Sequence, residues 1–313
     1  MPDTEQRFMG GQAVMEGVMM RGATTWAVAV RTPEGEIELA VHDAPSWAQR
    51  WSKVPIMRGV MSLGESLGLG FKALTWSADR QLPEEERISS RAMGITMAIS
   101  VILFSAIFLV APALGTSALG NSLGVEGFSY HLLEGAVRLL IFLAYLIGIG
   151  FLPDIKRVFM YHGAEHKAIA AYENGVELTP ESAQQFTTQH VRCGTNFLLT
   201  VMVTTIFVYS FVGRPALPIL VASRIVLIPL VAGLAYEVIR FSARHMDLAW
   251  VRVIMKPGLL LQKLTTREPE LDQLEIAITS LRAVFTADQV ADVEARTPVA
   301  VGVPGALPAF GTA

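Results

Sequence analysis

Residues 93–115 read MGITMAISVILFSAIFLVAPALG, 23 residues without a charge. A helix needs about 20 apolar residues to cross the hydrocarbon core of a bilayer, where each backbone polar group must be satisfied within the segment. The stretch therefore predicts a spanning helix. Three further candidates follow it. His131 to Leu152 carries only Glu134 and Arg138, Thr195 to Val212 carries no charge, and Ala216 to Ile239 carries Arg224 and Glu237. Gly213-Arg214-Pro215 between the last two reads as a tight turn, so these two are expected to form an antiparallel hairpin. The expected fold class is an α-helical polytopic membrane protein. It has about four spanning helices, interfacial helices and a small N-terminal β-hairpin element.

Composition agrees. Of 313 residues, 52% are hydrophobic and 17% charged, against about 25% charged in soluble domains. The net charge of −3 gives no basic field for nucleic acid. The single cysteine, Cys193, excludes an intramolecular disulfide. The opening residues MPDTEQRF are polar and do not read as a secretory signal.

Orientation follows from Lys and Arg. Residues 1–92 hold ten, the connection 116–130 none, 153–194 four, the third connection only Arg214, and 240–313 eight. This asymmetry places both termini and the central loop in the cytoplasm. The expected organisation is an N-terminal cytoplasmic β-rich segment, 1–53, then an interfacial amphipathic helix and linker, 54–92. A four-helix membrane domain, 93–239, follows with a cytoplasmic His-rich loop at 153–194. A cytoplasmic helical segment, 240–297, and a disordered tail, 298–313, complete the chain. TTWAVAVR (24–31) and EIELAV (36–41) flank Pro33-Glu34-Gly35 and predict a hairpin. GGQAVMEGVMMRG (10–22) suggests a second strand-turn element. In 54–77, Arg58, Glu65 and Lys72 recur every seven residues, one polar stripe on an apolar helix. That helix would lie in the headgroup plane, cover a bundle or re-enter the membrane. Residues 250–264 are similar, but Pro257-Gly258 should break them. From Pro269 onward, Leu271, Leu274, Ile278 and Leu281 mark an amphipathic helix.

The chemistry concentrates in the central loop. His162, Glu165 and His166 form H-x-x-E-H. On a helix the two histidines share a face four residues apart, near enough for one divalent metal, zinc by ligand type. The same pattern in metalloproteases uses the glutamate to activate water, which makes Glu165 the catalytic candidate. His190 and Cys193 are further candidate ligands. Glu173 lies about 10 Å along the helix axis from His166, and stands with Arg192, Glu16 and Arg21 as a supporting candidate. The plainer reading has the histidines bonding headgroups or capping a span, and Cys193 as a small buried residue. Cys193 at a helix start beside Arg192 also admits a thiolate nucleophile with His190 as base. Within the membrane, Glu134 and Arg138 can pair on one helix face, with Arg224 at similar depth.

Four blocks, GGQAVMEGVMMRG (10–22), YHGAEHKAIAAYENG (161–175), HVRCGTNF (190–197) and PGLLLQKLTTREPELDQLEIAI (257–278), resemble the bacterial YqhQ-like family. The family usually has proline where this chain has Val191. The resemblance implies a bacterial plasma (inner) membrane protein of a family often labelled a predicted metal-dependent enzyme, and it supplies no substrate. Two functions are expected from different classes. One is a cytoplasm-facing metal-dependent hydrolase acting on a lipid headgroup or a membrane-protein segment. The other is a non-enzymatic regulator or assembly factor with a structural metal. A transporter built on Glu134, Arg138 and Arg224 is a third, for which four spans without a repeat make a poor scaffold unless an oligomer supplies more.

The charge asymmetry predicts that in right-side-out vesicles Cys193 resists a membrane-impermeant maleimide while Ser122→Cys is labelled. The reverse pattern would overturn the orientation.

Overall fold

The computed structural model describes residues 9–87, 89–190, 193–213, 215–246 and 248–296. The expected tail at 298–313, and Arg192, lie outside the described residues. Four antiparallel strands, β1 (Gly10–Val14), β2 (Gly17–Arg21), β3 (Thr25–Arg31) and β4 (Ile37–Asp43), form one sheet in the order β1-β2-β3-β4. Both expected hairpins are present. The first turns at Met15-Glu16, with Glu16 at φ +50°, and the second places Gly35 at φ +91°.

Strand alternation gives the sheet two buried faces. Met19, Trp26, Val28 and Val30 face α1 (Met57–Arg80), against Leu69 and Ala73. Val18, Met20, Ala27 and Ala29 face the opposite layer, formed by α5 (Pro153–Glu173) and α11 (Leu271–Arg282). The expected helix from Pro269 is this α11; its Leu274, Ile278 and Leu281 are buried while Leu271 is exposed.

Two of the three stripe residues of α1 turn inward. Glu65 is 3% exposed and pairs with Arg21, and Arg58 pairs with Glu237, while Lys72 stays exposed. Leu67 and Leu74 are exposed with it. A buried charge needs a partner, and each stripe residue that has one faces it.

The apolar helices are α2 (Ser90–Ser105), continued through a π-turn at Ala106–Val110 into α3 (Ala111–Leu123), then α4 (Gly127–Ile149), α7 (Gly194–Ser210), α8 (Leu217–Val226) and α9 (Ile228–Arg244). Two are long and apolar enough to cross a membrane: Arg91–Gly120 and Gly127–Ile149. A third counts if α8 and α9, bent by 46° from each other, form one span. α7 is a shorter apolar helix of 17 residues. The helices α6 (Pro180–Gln184), α10 (Ala249–Thr265) and α12 (Ala287–Glu294) complete the chain. Pro257 does not break α10, contrary to expectation. It sits on an exposed side, where the carbonyl of the exposed Val253, four residues back, loses its helical donor without being buried.

Three intramembrane candidates meet at one point. Glu134 Oε1 accepts from Arg138 Nη2 at 2.8 Å and from Arg224 Nε at 2.9 Å, and its Oε2 accepts from Arg224 Nη2 at 2.6 Å. All three residues are at most 3% exposed. The site also repairs two interrupted helices. Pro112 has no N–H for the Phe108 carbonyl, and Arg138 Nε donates to it at 3.0 Å. At the α8–α9 bend the Tyr209 hydroxyl donates to the Arg224 carbonyl at 3.1 Å.

Glu134→Gln should therefore destabilise the fold more than any other single change in this cluster, by about 3–5 kcal/mol, because it leaves two adjacent buried arginines. Glu134→Gln with Arg224→Gln restores the original net charge and should recover part of the loss. Thermal unfolding in detergent checks this, and additive costs would show that the residues do not interact.

Candidate metal centre

α5 carries the chemistry. Pro153 begins it, where a missing N–H costs nothing, and Asp154 complements its positive end. Its second half is buried on nearly every side, from Tyr161 through Tyr172 except His162. Gly163 permits this: a Cβ there would lie 2.1 Å from the Arg267 carbonyl oxygen. The chain leaving α10 crosses α5 at that point, with Arg267 N donating to the Phe159 carbonyl at 2.9 Å. This crossing brings Thr265 to His162.

The two histidines share one helix face and meet edge-on, with ring centroids 4.4 Å apart. His162 Nδ1 lies 2.8 Å from the Thr265 carbonyl, and His166 Nδ1 lies 2.5 Å from the Thr188 carbonyl. A carbonyl only accepts, so each Nδ1 carries a proton and each Nε2 is left as the coordinating atom. Metal-binding histidines are oriented in this way by backbone carbonyls. Cys193, the N-cap of α7, places Sγ 3.2 Å from His162 Nε2. Its sulfur also accepts from Thr195 N at 3.4 Å and lies 3.2 Å from Thr195 Oγ1. One ligand atom from each of His162, His166 and Cys193 falls within 4.8 Å of the others. Two imidazoles and a thiolate, the set found among the described residues, are donors that suit zinc.

Without a metal, the charges describe a thiolate–imidazolium pair. Burial alone would raise the Cys193 thiol, but the His166 and His162 imidazoles outweigh it and hold the thiol well below its ordinary value. Burial opposes the charged form of His162, yet the bond and charge of Cys193, with Glu165 and Thr265, push it up to about 9. Burial raises the Glu165 carboxyl, against the pull of both imidazoles.

Glu165 is 6% exposed and accepts from the Gly11 backbone N–H. A Cβ on Gly11 would lie 2.8 Å from Glu165 Cγ, so the strand can approach only as glycine. Two residues on, Lys167 is fully buried and donates to the Gln184 carbonyl at 2.9 Å and to Glu268 at 2.5 Å.

The remaining candidates divide. His190 lies beside the cluster, its ring 5.8 Å from that of His166 and its Nε2 3.1 Å from Glu173 Oε2. Gln262 fixes its backbone, accepting from His190 N at 2.8 Å and donating to His190 O at 2.7 Å. Glu173 thus meets His190 rather than the three-residue cluster. Glu16 sits on α5 through Arg157, at 2.5 Å from Nε, and the Tyr161 hydroxyl, at 3.3 Å. Arg21 faces α1 instead, on Glu65. The sequence reading missed Thr188, Thr265, Thr195 and Gln262. The first two act through carbonyl oxygens, which leave no side-chain signature, and only their place in the chain crossing α5 selects them.

These features define a largely helical protein with apolar helices fit to cross a membrane, a four-stranded N-terminal sheet and a His-His-Cys cluster where the two regions meet. Residues 54–287 match the family described as "Protein of unknown function (DUF1385)". The chain is 31% identical over 299 residues to the "Uncharacterized protein YqhQ" of Bacillus subtilis (strain 168), covering 90% of this chain and 94% of that one. The chain belongs to this family. No solved structure matches it.

In chelator-treated protein, Cys193 should react with iodoacetamide at a rate that stays level from about pH 8 to about pH 6, whereas an ordinary thiol of pKa about 8.5 slows roughly tenfold per pH unit. His162→Ala with His166→Ala should restore the ordinary slope. A wild-type rate that already falls tenfold per unit would show that no imidazolium–thiolate pair forms.

Proposed function

We propose that the chain is a metal-dependent integral membrane enzyme, a hydrolase whose site faces the cytoplasm. The single observation carrying this reading is the convergence of His162 Nε2, His166 Nε2 and Cys193 Sγ, with each imidazole turned by a backbone carbonyl. Zinc at these ligands would supply a Lewis acid and lower the pKa of a coordinated water towards about 7. Glu165, beside the ligands but outside their set, holds and returns the proton as general base. Its raised carboxyl makes it a stronger base than a free carboxylate. Gly11 fixes its carboxylate. His190 and Glu173 buttress the ligand face.

The topology reading has both termini inside and four spans. The charge asymmetry supports the orientation, and the length of α7 supports the count: 17 residues rise about 26 Å, close to the core thickness of about 30 Å. A substrate at the membrane surface, a lipid headgroup or a membrane-protein segment, follows from the position of Cys193 at the start of an apolar helix. The membrane of this reading is a bacterial plasma (inner) membrane.

A second reading rests on the 3.2 Å contact between Cys193 Sγ and His162 Nε2. There the thiolate is the nucleophile, His162 its base and the Thr265 carbonyl the orienting group. This replaces His190 as the base expected from sequence. In a third reading the same cluster is a structural metal knot of a regulator or assembly factor.

Elemental analysis of protein purified without chelator should give one metal per chain. His162→Ala, His166→Ala and Cys193→Ala should each lose most of it, and His190→Ala should keep most. Glu165→Gln should keep metal and fold yet lose cellular function, since removing a general base costs on the order of 100-fold or more in rate. Metal-free wild-type protein would leave the thiolate reading. Glu165→Gln that keeps metal and function would favour the structural knot.

A further inference from the structure

Strand β4 is an edge of the sheet, and among the described residues no strand pairs with its outer side. Exposed edges are normally blunted by lysine, proline, a bulge or short length. β4 has no lysine, proline, bulge or shortening; of its charges, Glu38 is bonded to Arg80 of α1 at 2.9 Å and Asp43 lies at its end. It reads IELAVHD, runs seven residues, and pairs with β3 without a register break from Ile37 to Asp43.

Its hydrogen-bond polarity is fixed by the hairpin. Thr32 N donates to the Glu36 carbonyl at 2.9 Å, and Ala44 N donates to the Thr24 carbonyl at 2.8 Å. Even-numbered residues of β4 therefore point their backbone groups at β3. In an antiparallel ladder these alternate, so Ile37, Leu39, Val41 and Asp43 point theirs outward. The same four side chains lie on the α11 face, where Leu39 is 45% and Val41 47% exposed. Glu38 and His42 lie exposed on the α1 face with Ala40 between them.

We propose that this edge pairs with the same edge of a second copy of the chain, antiparallel, about a two-fold axis at Ala40. That register is self-complementary. Leu39 falls opposite Val41 of the second copy and the reverse, so the outward backbone groups of each exchange two hydrogen bonds. Ile37 and Asp43 do the same at the ends. On the α11 face, Leu39 and Val41 of both copies join into one apolar strip. On the α1 face, Glu38 of each copy meets His42 of the other, opposite in charge when the histidine is protonated. Sliding by two residues loses the match between Glu38 and His42, and sliding by one turns the outward groups away.

The test uses the full-length chain in native membranes. In this register the two Ala40 residues form a non-hydrogen-bonded pair with Cα atoms about 4.5 Å apart, inside disulfide range. Ala40→Cys should give a covalent dimer on mild oxidation, with wild type, holding only Cys193, as control. Glu38→Cys should give little, since the two copies of that position lie roughly 13 Å apart along the strand. In detergent, wild type should have twice the chain mass. Val41→Pro should halve it, because it removes an outward N–H and leaves the β3 ladder intact. A monomeric Ala40→Cys protein with native thermal stability would overturn the proposal. So would equal cross-linking at 38 and 40, a disulfide to a different protein, or cross-linking only after residues 297–313 are deleted.

Discussion

A buried stretch of helix must find a partner for each polar group it carries, and the second half of α5 sets that demand for the whole protein. His162, Glu165, His166 and Lys167 lie within six residues, and all but the half-buried His162 are buried. The sheet supplies Gly11, the loop before α7 supplies Thr188 and Cys193, and the α10–α11 crossing supplies Thr265 and Glu268. Buried polar groups cost several kcal/mol when unmet, so these segments, far apart in sequence, are held to one helix. The His-His-Cys geometry is a consequence of that satisfaction.

The apolar bundle solves a parallel problem with fewer groups. Glu134 sits between Arg138 and Arg224, and the arginines use their other donors on Phe108, Thr205 and Ser223. Tyr209 adds its ring face, 4.1 Å from the Arg224 guanidinium carbon. The interruptions at Pro112 and at the α8–α9 bend converge on this cluster. Charge and helix irregularity are thus located together, and each compensates the other.

Much of this was legible in the sequence because it depends on local periodicity. The 93–115 run, the 24–41 hairpin and the helix after Pro269 are set by hydrophobic length, alternation and turn residues. Pro257 in α10 and the stripe of α1 were harder. Sequence marks a helix breaker or a polar face, but whether the carbonyl is exposed, or the charge meets Glu237 or Arg21, depends on what packs there.

By itself the sequence determined the apolar helices, the strand pairs and the H-x-x-E-H pair on one helical face, since each follows from spacing along a regular backbone. It also supplied Cys193 as a candidate. Only the tertiary structure decided among the candidates. It brought Cys193 to His162, sent His190 to Glu173 and Arg21 to Glu65, and joined Arg224 to Glu134. Such choices are made by chain crossings such as Arg267 over Gly163, where a missing Cβ allows a contact 104 residues away in sequence, and no local pattern encodes that distance.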